Sequence, residues 1–379
     1  MLTMGYLLYC LITFLSVWLA YQVAGLRNLR GISGTITGQR ETRQKTMDRI
    51  CMAAIFILLS GASACRIYTG NDYQTYINHF HDIICGNYVV TEPGFNLLVT
   101  AVYSFFEKEY YLVIFAIFAL FTVGIFLKAL YDQSVDFPMS FLLFMALGIY
   151  FQTFNTVRYY FALAIVLYSM KFLLKKQYVR FVLAVLLASL FHKTALLVVP
   201  LYLLALIKWK RWHLILAGIF AVSGLFFQEQ YMEIFVRLYP SYANEEEYLA
   251  SGGFSIINVI RSAAVLLFSF YVLGKETEWY DNRENRFYFQ LNLGALALYL
   301  CFSFVPFLSR IGYYLNISHL FFLPLLLEEL SEKQGHKSRI WKYLMIAAAI
   351  LYFLIFLYKA TAINVRILPY SSWLWQEIG

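Results

Sequence analysis

Charged side chains are scarce in this sequence. Only 14% of its residues are charged, whereas 61% are hydrophobic. A soluble domain carries about 25% charged residues, which keep its surface in water. The composition therefore excludes a soluble globular protein and predicts an integral membrane protein.

Sustained alternation of polar and apolar residues is absent, which excludes a transmembrane β-barrel, whose strands alternate over about 10 residues. Long apolar runs recur instead, for example at 2–24, 110–127 and 341–358. A helix needs about 20 residues to cross the hydrocarbon core of a bilayer. We expect one all-α transmembrane domain over residues 1–379, a polytopic protein with about 10–12 transmembrane helices.

Cysteine is also rare, and the five cysteines do not make a disulfide framework. At most Cys65 and Cys85 could pair on an oxidising outer side. The polar residues His79, His81 and Asp82 do not supply a tetrahedral ligand set at the usual spacing, so we expect no metal. The sequence has no glycine-rich phosphate loop and no Asp-x-Asp pair, so we expect neither a nucleotide-sugar donor nor a cofactor.

The basic residues indicate orientation, because Lys and Arg are retained on the cytoplasmic side of multispanning proteins. With the N-terminus outside, 21 of the 30 Lys and Arg residues fall inside and 9 fall outside. We therefore interpret the basic excess as topology. It predicts membrane lipids as partners and no nucleic acid.

This orientation assigns four segments. Residues 25–49 form a cytoplasmic loop, and residues 228–253 form an extracytoplasmic loop. Residues 66–109 form another extracytoplasmic loop, which ends in an interfacial helix because its last apolar run is too short to span. Residues 181–207 have basic clusters at both ends, which predicts a helical hairpin, either two full spans or a re-entrant pair, with His192 near the outer mouth.

The stretch from Arg66 to Pro93 collects titratable groups on the outer side, and such a loop at a membrane surface is a candidate active site. Asp72 and Glu92 lie in this stretch, and His192 lies at the tip of the predicted hairpin. Each of the three could act as a general base or as a ligand for sugar hydroxyls. A structural ion pair or hydrogen bond to an arginine remains the alternative for each.

Two outer arginines lie beside helix breaks. Arg158 follows Asn155 in NTVRYYFALAI, and Arg310 follows Pro306 in VPFLSRIGYYLN. A guanidinium presents five donors in a planar fork and stays charged at a membrane. Both arginines are therefore candidates to bind a phosphate or diphosphate, with snorkelling to the headgroups as the structural alternative.

A spaced pattern of single residues runs through these candidates. It consists of Arg66, Gly70, Asp72, Tyr76, Glu92-Pro93-Gly94-Phe95, Asn155, Arg158 and Phe191-His192-Lys193-Thr194-Ala195, with a looser element at Arg310, Tyr313 and Tyr314. The pattern resembles the EpsG family of bacterial exopolysaccharide and capsule proteins, which is similar to the Wzy polysaccharide polymerases. The resemblance is best over residues 66–200.

The resemblance implies glycosyl transfer on the outer face of the bacterial plasma membrane. A growing glycan on undecaprenyl diphosphate would move onto the non-reducing end of a new lipid-linked oligosaccharide. A chain-length regulator and a flippase of the same pathway are candidate protein partners. The catalytic candidates are Asp72, as the first choice for the base, Glu92 and His192. The candidates for binding diphosphate or sugar are Arg66, Arg158, Arg310, Tyr76, Asn155, Tyr313 and Tyr314.

Two other functions stay open. A transporter or flippase of lipid-linked saccharide would also carry intramembrane arginines, but its polar groups would follow a path through both leaflets. A membrane acyltransferase that modifies the glycan could use His192 as its base, but it would need an acyl-donor site open to the cytoplasm. The concentration of candidates on one side favours the polymerase.

Overall fold

The computed structural model describes residues 2–28, 38–238, 255–274, 278–305, 308–362 and 365–375. Nearly all of the described chain is helical. The helices are α1 (Leu2–Ala20), α2 (Gly38–Ala64), α3 (Tyr73–Ile84), α4 (Pro93–Phe106), α5 (Tyr111–Gln133), α6 (Phe137–Ala146), α7 (Ile149–Gln152), α8 (Val157–Leu174), α9 (Tyr178–Ser189), α10 (Val198–Leu204), α11 (Arg211–Phe226), α12 (Gln228–Leu238), α13 (Ile256–Leu273), α14 (Glu278–Asp281), α15 (Arg283–Cys301), α16 (Leu308–Asn316), α17 (His319–Gln334) and α18 (Ser338–Lys359).

Four short elements accompany the helices in the described chain. Two 3₁₀ turns cover Lys193–Leu197 and Gly335–Lys337. Strand β1 (Arg66–Ile67) pairs antiparallel with β2 (Ser371–Ser372), and Arg66 lies opposite Ser372. This pairing joins the start of the predicted outer loop to the C-terminal segment.

Seven stretches of the described chain are helical, long and apolar enough to cross a membrane. They are α1, residues 42–64 of α2, α5, α8, α13, residues 310–334 of α16 and α17, and α18. The pair α11 and α12 adds an eighth if its 96° bend lies within one span. The all-α polytopic class is therefore confirmed, and the chain is a multi-pass membrane protein. The number of 10–12 spans stays a prediction, because it depends on the shorter apolar helices.

The seven spans differ in how deeply they lie in the bundle. The most hydrophobic 18-residue stretches of α1 and α18 are only 22% buried, whereas those of α8 and of residues 310–334 are 67% and 78% buried. The outer helices therefore present apolar side chains to lipid, as is typical of membrane bundles. The two most buried spans are those that carry Arg158 and Arg310.

The predicted extracytoplasmic loop at residues 66–109 contains two helices. A helix was expected at the end of this segment and is α4, but α3 was not predicted; the interfacial position of α4 stays a prediction. Tyr73, Tyr76 and Phe80 recur at helical spacing and are buried against α4 and α5. An apolar stripe on an otherwise polar segment stabilises a helix once a neighbouring surface covers the stripe. The segment is therefore a small helical layer over the bundle.

Two further predicted loops contain helix. Residues 38–49 of the predicted loop at 25–49 are helical, because QRETRQKTMDR consists largely of helix-favouring residues; residues 29–37 lie outside the described residues. The predicted loop at 228–253 begins with the helix α12, whose Glu233 and Arg237 form an (i, i+4) ion pair at 2.6 Å. Residues 239–253 lie outside the described residues.

The predicted helical break at His192 is present. Helix α9 ends at Ser189, and the chain resumes as a 3₁₀ turn at Lys193 that leads into α10. Helix α9 has 12 residues and α10 has 7. Neither reaches the roughly 20 residues that a full crossing needs. These lengths favour a re-entrant pair for residues 181–207.

The cysteines and histidines of this helical layer form neither a disulfide nor a grouped set of metal ligands among the described residues. Cys65 and Cys85 are both free thiols, so the possible pair is not formed. His81 Nδ1 lies 3.0 Å from Glu109 Oε1. Within the described ranges, no three His, Cys, Asp or Glu side chains are grouped to hold a metal ion.

Candidate active site

The five outer-mouth candidates come from five separate segments. Asp72 immediately precedes α3, and Glu92 immediately precedes α4. Arg158 is the second residue of α8, and Arg310 is the third residue of α16. His192 lies in the break between α9 and the 3₁₀ turn. Each candidate therefore lies at or near a helix end, where side chains can converge.

A glycine joint places Asp72 beside the start of α8. Gly70 has a positive φ of +106°, and a Cβ atom there would lie 2.4 Å from the carbonyl oxygen of Phe154. The next residue, Asn71, donates its backbone N–H to Oδ1 of Asn155 at 2.9 Å. Only glycine permits this close approach of two backbones. Gly70 and Asn155 thus hold the chain that carries Asp72 against the N-terminal end of α8.

Arg66 lies beneath this joint and is only 1% exposed. Its guanidinium donates to the carbonyl oxygen and, at 3.0 Å, the hydroxyl of Ser63, and to the carbonyl oxygen of Phe154 at 3.5 Å. The rings of Phe115 and Phe154 each lie 5.1 Å from its Cζ atom. This burial favours a role in shaping the site over direct contact with substrate.

Glu92 links three segments through its carboxylate. One oxygen forms an ion pair with Arg158, and the other accepts the backbone N–H of Lys193 at 3.1 Å. Beside it, Gly94 donates its N–H to the carbonyl oxygen of Leu190 at 2.9 Å, where a Cβ atom on Gly94 would come within 2.7 Å. Glu92 therefore fixes α4 to α8 and to the helical break at residues 190–192.

Arg158 is fixed in place by an ion pair and by two aromatic rings. Besides the ion pair with Glu92, its Cζ atom lies 5.0 Å from the ring centroid of Phe95 and 5.7 Å from that of Tyr76. Its Nε is buried without a partner in the described residues, and its side chain is 16% exposed. A cation packed between aromatic rings and paired with a carboxylate is fixed in place. Tyr76 thus positions the arginine.

Arg310 has the opposite arrangement. Its backbone carbonyl accepts the hydroxyl of Tyr159 at 2.7 Å, which fixes the helix that carries it. Its guanidinium makes no hydrogen bond or ion pair with any described residue. The nearby charges that it affects are those of Asp72 and His192. Arg310 is therefore a positioned cation with unused donors.

Asp72 is partly buried and makes no side-chain hydrogen bond in the described part of the chain. Burial raises its pKa, while the positive charges of Arg310, Arg158 and His79 act in the opposite direction. A carboxylate with a raised pKa is a stronger base than an ordinary aspartate once it is ionised. Of the three candidate bases, Asp72 alone has both oxygens free of partners within the described residues.

His192 is less available. It is 7% exposed, its Nδ1 lies 2.6 Å from Oγ1 of Thr194, and its ring packs edge-on against Tyr159 at 5.1 Å. Burial lowers its pKa well below the usual value, and the neighbouring charges of Arg310 and Arg158 lower it further. The imidazole is therefore neutral at pH 7. Its contacts support a role in fixing the helical break beside the site.

The two predicted sugar-binding tyrosines of α16 differ. Tyr314 is 0% exposed, its ring packs against Tyr159 at 5.2 Å, and its carbonyl accepts the hydroxyl of Tyr202. Tyr313 is only partly buried, and its ring centroid lies 5.3 Å from Cζ of Arg261. Tyr314 is a core residue in this arrangement, whereas Tyr313 remains accessible.

Sequence reasoning assigned no role to Arg261. It is one of the nine basic residues on the predicted outer side, and it lies well inside the apolar run that forms α13. An arginine within a membrane span is itself a functional signal, because its burial in hydrocarbon is costly. The signal became specific only when the structure placed the arginine beside Tyr313.

Comparisons with known proteins identify the family of the chain. The model of the EpsG family matches residues 49–372, which include every candidate residue named above. No curated protein and no solved structure matches the chain. Because the match covers most of the chain, the resemblance seen in the sequence is confirmed: the protein belongs to the EpsG family.

Proposed function

We propose that this protein polymerises lipid-linked oligosaccharide repeat units into exopolysaccharide or capsular polysaccharide on the outer face of the bacterial plasma membrane. The observation that carries the proposal is that the carboxylate of Asp72 and the guanidinium of Arg310 influence each other electrostatically, while neither has a partner among the described residues. A base and an anion-binding group side by side are what transfer from a diphosphate donor requires. Family membership supports the same reading at a coarser level.

The two arginines divide the binding of the donor. Arg310 offers a free planar fork to the diphosphate of undecaprenyl diphosphate, and such forks bind phosphate oxygens in pairs. Arg158 is neutralised in part by Glu92, so it supplies a weaker, fixed positive charge beside the leaving group. Negative charge develops on the diphosphate as its bond to the sugar breaks, and a preorganised cation stabilises that charge.

The transfer then balances without a cofactor or nucleotide. The bond between the anomeric carbon of the donor and the diphosphate oxygen breaks, and undecaprenyl diphosphate leaves with the electron pair. A hydroxyl oxygen at the non-reducing end of the acceptor forms the new bond to the anomeric carbon. Its proton passes to the carboxylate of Asp72. The acceptor repeat unit keeps its own lipid diphosphate.

The test uses purified protein in liposomes with a lipid-linked repeat unit as the sole substrate, and resolves products by size. We expect a ladder of polymer from the wild type and a loss of about 10²-fold or more in initial rate for Arg310→Ala, the loss typical of removing one preorganised transition-state donor. Arg310→Lys should recover only part of the rate, because an ammonium lacks the planar fork.

Arg237→Ala is the matched control, since Arg237 is predicted on the same side and its side chain is 75% exposed. The control should retain the wild-type rate. Single repeat units that persist with folded wild-type protein would contradict the proposal. If those units were instead moved across the bilayer, the flippase function would replace it. Acylated repeat units would indicate the acyltransferase.

A further inference from the structure

A second arginine site lies next to the first. Arg261 in α13 donates from Nη2 to Oδ1 of Asn258 at 3.1 Å and packs over the ring of Tyr313. Its Nε is buried and has no partner in the described residues. Arg261 is not among the residues that the proposed transfer uses.

Arg261 has no counterion among the described residues. Its leading electrostatic neighbours are tyrosines, namely Tyr313, Tyr352 and Tyr299, and no described carboxylate forms an ion pair with it. A partly buried cation without a carboxylate is costly, because removal from water is not offset by an opposite charge. An anionic ligand would supply the missing charge.

Other unpartnered polar groups surround the same place. The hydroxyl of Tyr299 and Nδ2 of Asn316 are buried without partners in the described chain. A Cβ atom at Gly312 would lie 2.4 Å from the hydroxyl of Tyr299, so this hydroxyl rests on the backbone of α16 between Arg310 and Tyr313. Oδ1 of Asn316, in contrast, is used by the hydroxyl of Ser262 at 3.2 Å. Buried donors of Arg261, Tyr299 and Asn316 thus lie around one turn of α16, and the side chains of Tyr299 and Asn316 are close enough to interact with each other.

The depth of Arg261 suits the headgroup of a membrane lipid. Arg261 and Tyr313 are each the sixth residue of their helices, and both helices run inward in the predicted topology. Five residues of helix descend about 7.5 Å. The boundary between headgroups and hydrocarbon lies within this distance of the outer surface. A phosphate of a lipid would therefore meet the guanidinium at this level.

Helix α16 connects the two arginine sites, because Arg310 and Tyr313 lie one turn apart on it. Arg310 acts on Asp72, and Tyr313, one turn further along, packs on Arg261. The proposed transfer uses two lipid diphosphates at once, one on the donor that leaves and one on the acceptor that stays. We propose that Arg261, with Tyr313 and Tyr299, binds the diphosphate of the acceptor lipid. This inference rests on the proposed function for the identity of the ligand, but not for the presence of an anion site.

The first experiment measures how many equivalents of undecaprenyl diphosphate bind to the purified full-length protein in detergent. We expect two equivalents for the wild type and one each for Arg261→Ala and Arg310→Ala. Arg261→Lys should bind the second equivalent about 10- to 100-fold more weakly, as expected when a forked, charge-assisted contact is lost. One equivalent in the wild type, or two in Arg261→Ala, would overturn the inference.

Two competitors and one variant identify what the second site recognises. Undecaprenol should not replace the second equivalent, because it lacks the diphosphate. Phosphatidylglycerol in excess should not displace it; displacement would assign the site to a phospholipid headgroup and overturn the acceptor role. The triple change of Glu245, Glu246 and Glu247 to Gln should leave two equivalents bound. Those glutamates precede α13 in the sequence, and tighter binding in the triple variant would identify one of them as the resident counterion instead.

A kinetic readout separates the second site from the first. With lipid-linked polymer in excess as donor, Arg261→Ala should raise the KM for the single repeat unit by about 10- to 100-fold, with a smaller change in kcat. A lower kcat at unchanged KM would contradict acceptor binding by Arg261. If the wild type bound two equivalents but formed no polymer, the proposed function would fail while the second anion site would stand. Size-exclusion profiles that match the wild type establish that each variant is folded.

Discussion

Two aspartates of this protein lie near lysine or arginine side chains at opposite predicted ends of the bundle, and they are arranged in opposite ways. Asp132, at the inner end of α5, uses one oxygen for Lys128 and the other for Lys171, each at 2.8 Å. Asp72, at the predicted outer mouth, lies near two arginines and bonds to neither among the described residues. A carboxylate with both oxygens satisfied stabilises the bundle, whereas one left open beside a cation is available for chemistry.

The largest expected contrast comes from the same substitution at both aspartates. Asp72→Asn should lower the polymerisation rate by about 10²- to 10⁴-fold, the usual contribution of a general base, with little change in Tm. Asp132→Asn should keep most of the activity and lose about 1–3 kcal/mol of stability. The largely buried Lys171, whose side chain is only 15% exposed, would lose the negative charge of its partner. Liposome assays and thermal unfolding in detergent measure the two effects. Equal loss of activity in both variants would remove the distinction.

A second contrast separates Glu92 from Asp72. Glu92→Gln should cost about 3 kcal/mol, since it leaves Arg158 without its carboxylate at a site where both side chains are largely buried. The double variant Glu92→Gln, Arg158→Gln should recover part of this stability, because the uncompensated charge is gone, but not the activity.

Glu109→Gln is the matched control for that contrast. Glu109 is 46% exposed and pairs with His81 at the surface of the same outer layer, so its loss should cost less than about 1 kcal/mol. If Glu92→Gln had full stability and no activity, Glu92 rather than Asp72 would be the better candidate for the base.

The features of the fold and of the site that could be predicted from the sequence are those that depend on composition or on residues close together in the chain. Composition and run length gave the helical membrane class, and the basic cluster on each side of 181–207 gave the helical break. The pattern around Asp72, Glu92, Arg158 and Arg310 gave the candidate site. These are local or compositional signals.

The pairing within the site was beyond the sequence, because it is decided by contacts between distant segments. Nothing in the order of residues indicates that Arg158 pairs with Glu92 and leaves Asp72 open. Helix α3 was missed because its apolar stripe is covered only once α4 and α5 fold over it. The location of Arg261 beside Tyr313 likewise depends on how α13 and α16 pack.

A smaller effect tests whether the glycine joint places Asp72. Gly70→Ala should cost about 1–3 kcal/mol and lower the rate, since Cβ would clash with the carbonyl oxygen of Phe154 and φ is +106°. Gly86→Ala is the control, because Gly86 also has a positive φ, +76°, but open space around it. The control should lose about 1 kcal/mol and no activity beyond that. Equal effects in the two variants would show that the close approach at Gly70 is unimportant.

The smallest expected effect is a shift in the pH dependence of activity, which reports the ionisation of Asp72 directly. Asp72 acts as a base only when ionised, and burial raises its pKa, so kcat/KM should fall on the acid side at a higher pH than an ordinary aspartate with a pKa of about 3.9 would give. Removing the nearby positive charge with Arg310→Gln should move this acid limb to still higher pH in the residual activity, because that charge holds the pKa of Asp72 down.

The same pKa shift fixes the sign of a stability effect. A carboxyl group whose pKa is higher in the folded state favours folding when protonated, and this contribution is lost as pH rises through the folded pKa. At pH 7 the ionised Asp72 therefore destabilises the protein slightly, and Asp72→Asn should unfold at the same or a higher Tm than the wild type. Thermal unfolding at pH 5 and pH 8 measures this effect on Tm. For the pH dependence of activity, Glu109→Gln is the control and should match the wild type. A lower Tm for Asp72→Asn at pH 8 would mean that the carboxylate holds the fold together, as Asp132 does, and is not kept open for the acceptor hydroxyl.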